Sequence, residues 1–354
     1  MSLKQLRKKI DYIDGKILNF LNQRAQEVLN VSKLKKKEKI GAYSPDREAS
    51  MIARLKKMNK GPFLAQEVEN VFREILSICR AQNTSMKVAY LGPEATFAHM
   101  AAIKKFGKSL DYIECSSIAD VFTEVERGRA DYGVVPIENS TEGAVNHTLD
   151  MFIDSDLKIC SEMYLPIQHN LLSKYKKISS VKKVYSHEQV FAQCRKWLEK
   201  NLPNAKLIPC ASTTEAALVA TLGKGVSAIA SKVAAEKYKL NLLASSIEDS
   251  AHNITRFLII GTQEVKPTKD DKTSIVFSMK DKAGALHDVL APFKNSKINL
   301  TKIESRPSKK KAWKYYFFVD MGGHKSSPSV KKALKALGKE CLFVKILGAY
   351  PKES

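Results

Sequence analysis

Hydrophobic positions near the start of the chain recur three and four apart, at Leu6, Ile10, Ile13, Ile17, Phe20, Val31 and Leu34. This spacing predicts one long helix with a coiled-coil-like seam, on which Arg24 and Glu27 replace the expected hydrophobes. The turn GAYSP (41–45) predicts a second helix with Asp46, Arg47 and Glu48 in its first turn. GPF (61–63) ends it, and a third helix is expected from about Leu64 to Asn83. Past residue 86 the pattern changes: short apolar runs such as YGVVPI (132–137) and FLII (257–260) alternate with helical stretches, the signature of an α/β sheet. After the polar stretch VKPTKDDK, residues 270–354 read strand, helix, strand, strand, helix, strand, a ferredoxin-like α+β unit. The organisation is therefore multi-domain: all-α over 1–85, α/β over 86–265 and α+β over 270–354.

The middle segment contains an internal echo. YLGPEATFAHMAA (90–102) is answered by VYSHEQVFAQCRKW (184–197), SSIADVF (116–122) by STTEAAL (212–218), and GVVPIENS (133–140) by VSAIASKV (226–233). The offset stays near 95 residues. Such a duplication predicts two similar lobes with a ligand cleft between them, a two-lobed arrangement that resembles type-II periplasmic binding proteins.

Charge changes this picture little. Of the formal net charge of +22, most lies at the ends: residues 1–85 carry 18 Lys/Arg against 9 Asp/Glu, 86–265 carry 21 against 20, and 266–354 carry 20 against 8. Basic stretches such as KLKKKEK (33–39) lack a nucleic-acid motif around them and read as solvated faces, so no nucleic-acid partner is expected. No apolar run reaches the length of a membrane span, and the first residues lack a signal-peptide core, so a cytoplasmic protein without a membrane partner is expected. The six cysteines are scattered, without CxxC pairs or His partners at zinc spacing, and read as reduced core residues with no metal to hold. No Gly-rich dinucleotide fingerprint or P-loop appears, so no cofactor is expected.

Two stretches concentrate the candidate chemistry. GVVPIENSTEGAV (133–145) hands a strand into Glu138, Asn139, Ser140, Thr141 and Glu142 at a helix start, a combination of donors and free N–H groups suited to a small anion. HNITRF (252–257) places Thr255 and Arg256 just before an apolar strand. Each stretch by itself has a plain reading as a helix cap or a strand entry. In the helical segment, Arg24 and Lys35 lie eleven residues apart, on one face and about 16 Å along the axis, able to clasp a small dianion. Arg7 lies about 25 Å from Arg24 on the same straight helix, so a site using all three must take Arg7 from another chain.

These segments resemble known families. LRKKIDYIDGKILNFLNQRAQEV, KLKKK, YSPDRE and VFREILSICR resemble the all-helical chorismate mutase. The resemblance implies an intertwined dimer in which Arg7 of the other subunit and Arg24 hold the substrate carboxylates. Lys35 would meet the ether oxygen, with Arg47, Glu48, Cys79 and Asn83 nearby. Cys79 stands where that family often has Ser, and Asn83 where it has Gln or Glu, with Gln82 the alternative at that position. Residues 133–145 and 252–257 are similar to signature segments of prephenate dehydratase, which implies Thr255 as the catalytic hydroxyl, with Asn139, Ser140, Thr141, Ser186, Gln193, Arg256 and Phe257 binding substrate. His169 and His187 lie near the same cleft and read as hydrogen-bonded structural residues. DKAGALHDVL and KIESRP resemble the amino-acid-binding turns of an ACT domain. This implies an effector pocket lined by Gly284, Ala285, Leu286, Glu304, Ser305, Arg306 and Pro307, with His287 in place of the usual Val.

In this order the three segments resemble the bifunctional chorismate mutase–prephenate dehydratases of phenylalanine biosynthesis. That family uses chorismate and prephenate as substrates, phenylalanine as effector and no cofactor, in a homodimer or homotetramer. The alternatives on the same folds are an arogenate-preferring dehydratase with a degenerate mutase arm and a non-enzymatic amino-acid sensor.

Overall fold

The computed structural model describes residues 1–38, 43–82, 86–250, 252–280, 282–308 and 315–353. The chain divides into two compact units: residues 1–87 together with 106–111, and the remainder.

The first unit is helical. α1 (Leu3–Lys37) is followed by α2 (Pro45–Met58) and α3 (Ala65–Ala81). α1 has 35 residues, a rod of about 52 Å. Every residue from Met1 to Phe20 is exposed, and only the later part of α1, around Leu21, Ala25 and Val28, turns a half-buried face inward. The seam residues Ile10, Ile13, Ile17 and Phe20 are 56, 51, 50 and 64% exposed, an apolar stripe with no cover inside the described chain.

The second unit begins with a lobe formed by β1 (Lys87–Leu91), α4 (Phe97–Phe106), β2 (Asp111–Cys115), α5 (Ile118–Glu126), β3 (Tyr132–Asn139), β4 (Gly143–Ala144), α6 (Asn146–Asp154) and β5 (Lys158–Pro166). The chain then crosses to a second lobe: β6 (Asn170–Ser173), β7 (Lys183–Ser186), α7 (Glu188–Gln193), α8 (Arg195–Asn201), β8 (Lys206–Pro209), α9 (Thr213–Ala220), β9 (Val226–Ala230), α10 (Lys232–Tyr238) and β10 (Asn241–Ala244). It returns to the first lobe as β11 (Ile254–Gly261). The first sheet has the order β2-β1-β3-β11-β5, with β4 on β3, and the second β10-β6-β9-β7-β8. Reversing the second list superimposes β8 on β2, β7 on β1 and β9 on β3, so the echo in sequence is a duplication of topology. The start of β3, from Tyr132 to Val135, is buried, as expected of a central strand covered on both faces.

The C-terminal part is β12 (Asp271–Met279), α11 (Ala285–Asn295), β13 (Leu300–Pro307), β14 (Tyr315–Gly322), α12 (Pro328–Glu340) and β15 (Cys341–Pro351), an antiparallel sheet of order β13-β14-β12-β15. Its two helices cover one face over Ile275, Phe277, Val289, Phe293, Val319 and Leu337. The other face shares a core with the first lobe: Val276, Phe318, Leu347 and Tyr350 pack with Ile137, Leu149, Phe152, Ile159 and Leu258. At Gly348 the backbones approach so closely that a Cβ would stand 2.2 Å from the Ile159 carbonyl oxygen. The stretch read as a linker is correspondingly tight. Lys272 is buried within β12, its ammonium 2.8 Å from the carboxylate of Glu162.

Candidate functional sites

The end of β3 and the start of β11 are antiparallel neighbours, with Thr255 opposite Asn139. Asn139 Nδ2 donates to Thr255 Oγ1 and to Asn253 Oδ1, both at 2.8 Å. Asn139 Oδ1 accepts from the Thr141 amide at 2.9 Å, the Thr141 hydroxyl at 2.6 Å and the Glu142 amide at 3.1 Å. The amide is thereby oriented, its oxygen holding the turn and its nitrogen aimed at Thr255. A hydroxyl whose oxygen accepts from Asn139 still has its own proton to donate, which makes Thr255 an oriented donor. Ser140 ties the two segments together: its hydroxyl donates to the His252 carbonyl at 2.6 Å and accepts from the Ile254 amide at 2.9 Å.

The second lobe reaches this cluster through Gln193, the last residue of α7. Its Oε1 accepts from Asn253 Nδ2 at 3.0 Å and lies 2.7 Å from His169 Nε2. Its Nε2 donates to Glu142 Oε1 at 3.1 Å and Thr141 Oγ1 at 3.4 Å. His169 is 1% exposed, and burial lowers its pKa, so it stands neutral with the Nε2 proton facing the amide oxygen. A continuous hydrogen-bonded chain thus runs from His169 through Gln193, Asn253 and Asn139 to Thr255, spanning both lobes. Asn253 was not among the residues expected from sequence; its place in HNITRF, two before Thr255, was the available signal, since strand alternation sends alternate residues to one side.

In the helical unit, Arg24 Nη1 points at Cys79 Sγ, 3.2 Å away. Lys35 donates to the Ser44 hydroxyl at 3.0 Å, just before α2. Burial lowers the Lys35 pKa, against the opposing pull of Asp46 and Glu48, so a partly desolvated ammonium faces the start of α2. Glu48 is ion-paired with Arg80, whose guanidinium also donates to the Phe106 carbonyl at 3.0 Å and lies over the Tyr43 ring. Arg80 was not singled out from sequence. Arg7 and Arg47 are exposed, and Asn83 lies outside the described residues.

Comparisons with known proteins place all three parts. Residues 6–84 match the family model for chorismate mutase type II, residues 88–265 that for prephenate dehydratase and residues 273–339 that for the ACT domain. The chain is similar to the bifunctional chorismate mutase/prephenate dehydratase of Aquifex aeolicus (strain VF5), with 51% identity over 99% of this chain and 98% of that protein. It is similar to the protein of the same description from Stutzerimonas stutzeri, with 46% identity over 99% and 98%. The chain belongs to the family of bifunctional chorismate mutase/prephenate dehydratases. Among solved structures, the prephenate dehydratase of Arthrobacter aurescens in complex with L-Phe is similar with a TM-score of 0.69 and 32% identity, covering 75% of this chain and 90% of that one.

Within the dehydratase and ACT domains several expected residues are placed differently from the reading by sequence. Arg256 does not join the Thr255 cluster. It is 3% exposed on the opposite face of the strand, where Glu162, Glu138, Asp320 and the Tyr350 hydroxyl take up its guanidinium. Ser186 is fully buried and donates to the Ile229 carbonyl at 2.8 Å, a bond within the second lobe's sheet. Phe257 is buried in the first lobe's sheet at 2% exposure. Arg306 is not open to an effector within this subunit: it grips Asp150 of α6 through two contacts of 3.0 Å. Ser305 and Pro307 are on the exposed face of β13, while Glu304 shares the half-buried face with Lys302 and Arg306. Gly284 adopts φ +78° at the start of α11, with open space where a Cβ would stand, and leads into buried Ala285 and exposed Leu286. His287 has a side chain 85% exposed beside Asp288, turned outward from the ACT core.

Proposed function

We propose that this chain performs two consecutive steps of phenylalanine biosynthesis, rearranging chorismate to prephenate and then converting prephenate to phenylpyruvate, under feedback inhibition by phenylalanine. The observation that carries the dehydratase reading is the Asn139–Thr255 contact, which presents an oriented hydroxyl in the inter-lobe cluster. Prephenate loses its ring carboxylate as carbon dioxide and its ring hydroxyl as water. The electron pair of the breaking carboxylate bond enters the ring as the carbon–oxygen bond to the hydroxyl breaks. One proton must reach that hydroxyl. Thr255 donates it, and the Asn139 amide proton supports the charge that develops on Thr255 Oγ1. Asn139, Thr141 and Gln193 position the substrate between the lobes.

The mutase step is a unimolecular rearrangement and needs no nucleophile. Arg24 holds a substrate carboxylate, Lys35 supports charge on the breaking ether oxygen, and Arg7 comes from a second copy of the chain. The exposed seam of α1 supports this pairing, because an apolar stripe of that length is ordinarily covered. A homodimer through α1 and a cytoplasmic site of action follow from this reading; no described helix is long and apolar enough to cross a membrane. Phenylalanine binds between Gly284–Leu286 and Glu304–Pro307 where two ACT domains meet, with Arg306 holding the segment to Asp150 of α6. Purified protein supplied with chorismate tests the whole scheme. Consumption of chorismate and appearance of phenylpyruvate in alkali are expected, and chorismate persisting at its uncatalysed rate would remove the mutase assignment. Prephenate and arogenate offered side by side decide the second substrate, with prephenate expected to be preferred.

A further inference from the structure

β3 and β11 pair so that Asn139 lies opposite Thr255 and, one residue away, Glu138 lies opposite Arg256. Because strand residues alternate between faces, the first pair belongs to the inter-lobe cluster and the second to the side covered by the ACT domain. On that side Arg256 Nη1 donates to Glu138 at 2.9 Å and to Asp320 at 2.6 Å, Nη2 to the Tyr350 hydroxyl at 3.0 Å, and Nε to Glu162 at 2.8 Å. Glu138 is also ion-paired with Lys302, and Glu162 with Lys272 at 2.8 Å. Ser274 bonds both Asp320 and, at 2.7 Å, Tyr350. Three cations from three strands meet three carboxylates. Asp320, Tyr350, Lys302, Lys272 and Ser274 all come from the C-terminal sheet, β12 to β15.

Stability alone is a poor reason for such a cluster, since packed apolar side chains serve a domain seam as well or better than desolvated ion pairs. What the cluster does, and an apolar seam would not, is fix the register of β3 and β11 against β13 and β14. β13 carries Lys302 and, further along the same half-buried face, Glu304 and Arg306, the latter clamped to Asp150 of α6. We propose that Arg256 and Glu138 are positioning residues for the dehydratase step, and that Asp320 and Lys302 are the handles through which the ACT domain acts on Asn139 and Thr255. The proposal rests on the reading that phenylalanine acts through the ACT domain. An effector that shifts β13 moves the Lys302 contact, and the adjoining residue on the same strand as Glu138 is Asn139. The coupling path is then one residue long on each of two strands.

Full-length protein carrying Lys302→Gln, which alters only the seam, is the first test. Dehydratase kcat and KM without effector should stay within about threefold of the parent. Phenylalanine should still bind by calorimetry, but its inhibition should weaken at least fivefold, and prephenate should no longer loosen phenylalanine binding as reciprocity requires in the parent. Arg256→Lys keeps the charge and loses the forked contacts. It should lower dehydratase kcat at least tenfold with KM within twofold, while the mutase rate of the same preparation is unchanged. If Lys302→Gln is inhibited like the parent with the same reciprocal coupling, the handle role is overturned, even if Arg256→Lys fails to fold. A folded Arg256→Lys protein with parental kcat overturns the positioning role. Parent protein that binds no phenylalanine would instead refute the effector reading, and the Arg256 kinetics would still decide positioning.

Discussion

Asn139 Nδ2 lies 2.8 Å from the hydroxyl oxygen of Thr255, across a strand pair that joins two segments more than a hundred residues apart in sequence. Each residue orients the other. Without Thr255 the amide keeps its turn contacts, and without Asn139 the hydroxyl loses the donor that leaves its proton for the substrate.

Thr255→Val should therefore reduce dehydratase kcat by about 10²–10⁴-fold, the usual range for a lost proton donor. Thr255→Ser should keep most of the activity. Asn139→Ala should fall between the two, and chorismate consumption should be unaffected in all three. Phenylpyruvate formation from prephenate is the measurement, and a Thr255→Val protein of parental rate would remove the assignment.

Lys35→Ala should raise the mutase barrier by about 3–4 kcal/mol, as for other preorganised donors to a developing oxyanion. Burial holds the Lys35 pKa below the usual lysine range, so the ammonium is lost earlier than in an exposed lysine. Mutase activity should accordingly decline, as pH rises, before an exposed lysine would lose its proton. Arg in its place stays charged, so Lys35→Arg should flatten that alkaline limb whatever its absolute rate. Chorismate disappearance measured across pH checks both statements.

Acid should weaken the seam between the dehydratase and ACT domains. Burial pushes the Glu138 carboxyl up, but its Lys302 and Arg256 partners outweigh this and hold it below the usual carboxylate range. A carboxylate whose pKa is depressed on folding stabilises the protein fully above its unfolded pKa, and that contribution disappears as pH falls through the folded value. Thermal denaturation should thus show the difference in stability between parent and Lys302→Gln shrinking as pH drops through and below the usual carboxylate range. A difference that grows on acidification would contradict the sign.

Gly348→Ala should destabilise the second unit by about 1–3 kcal/mol, the usual penalty for forcing extra volume into a packed seam. The added Cβ would sit 2.2 Å from the Ile159 carbonyl oxygen, backbone that has no rotamer with which to yield. Gly338→Ala, where a Cβ meets nothing within 4 Å, is the control and should leave stability unchanged or slightly raised. Chemical denaturation followed by intrinsic fluorescence gives both values.

Much of this molecule is legible in its amino-acid order because local periodicity carries it. The three-and-four spacing from Leu6 to Leu34 needs only α-helical geometry, and it appears as α1. The strand and helix order from Thr273 to Gly348 appears as β12 through β15 with α11 and α12. The 95-residue echo predicts paired lobes, and the two sheet orders mirror one another. Thr255 and Asn139 stand out through the resemblance of residues 133–145 and 252–257 to prephenate dehydratase segments, each placing polar residues beside an apolar strand.

Contacts between distant elements were the part that periodicity could not supply. TRF reads as one motif, yet alternation places Thr255 and Arg256 on opposite faces, and only packing decides that Asp320 and Tyr350 wait on the second face. Arg306 reads as a ligand contact until α6 brings Asp150 to it. Arg80 and Lys302 carry no local signal, since a cation in a polar stretch is ordinarily solvated. By itself the sequence determined the elements, their order and the residue types available for chemistry, because these follow from side-chain spacing along one chain. Which hydroxyl is oriented and which guanidinium is locked were decided by tertiary structure, because hydrogen bonds and ion pairs of this kind join atoms that only folding brings within 3 Å.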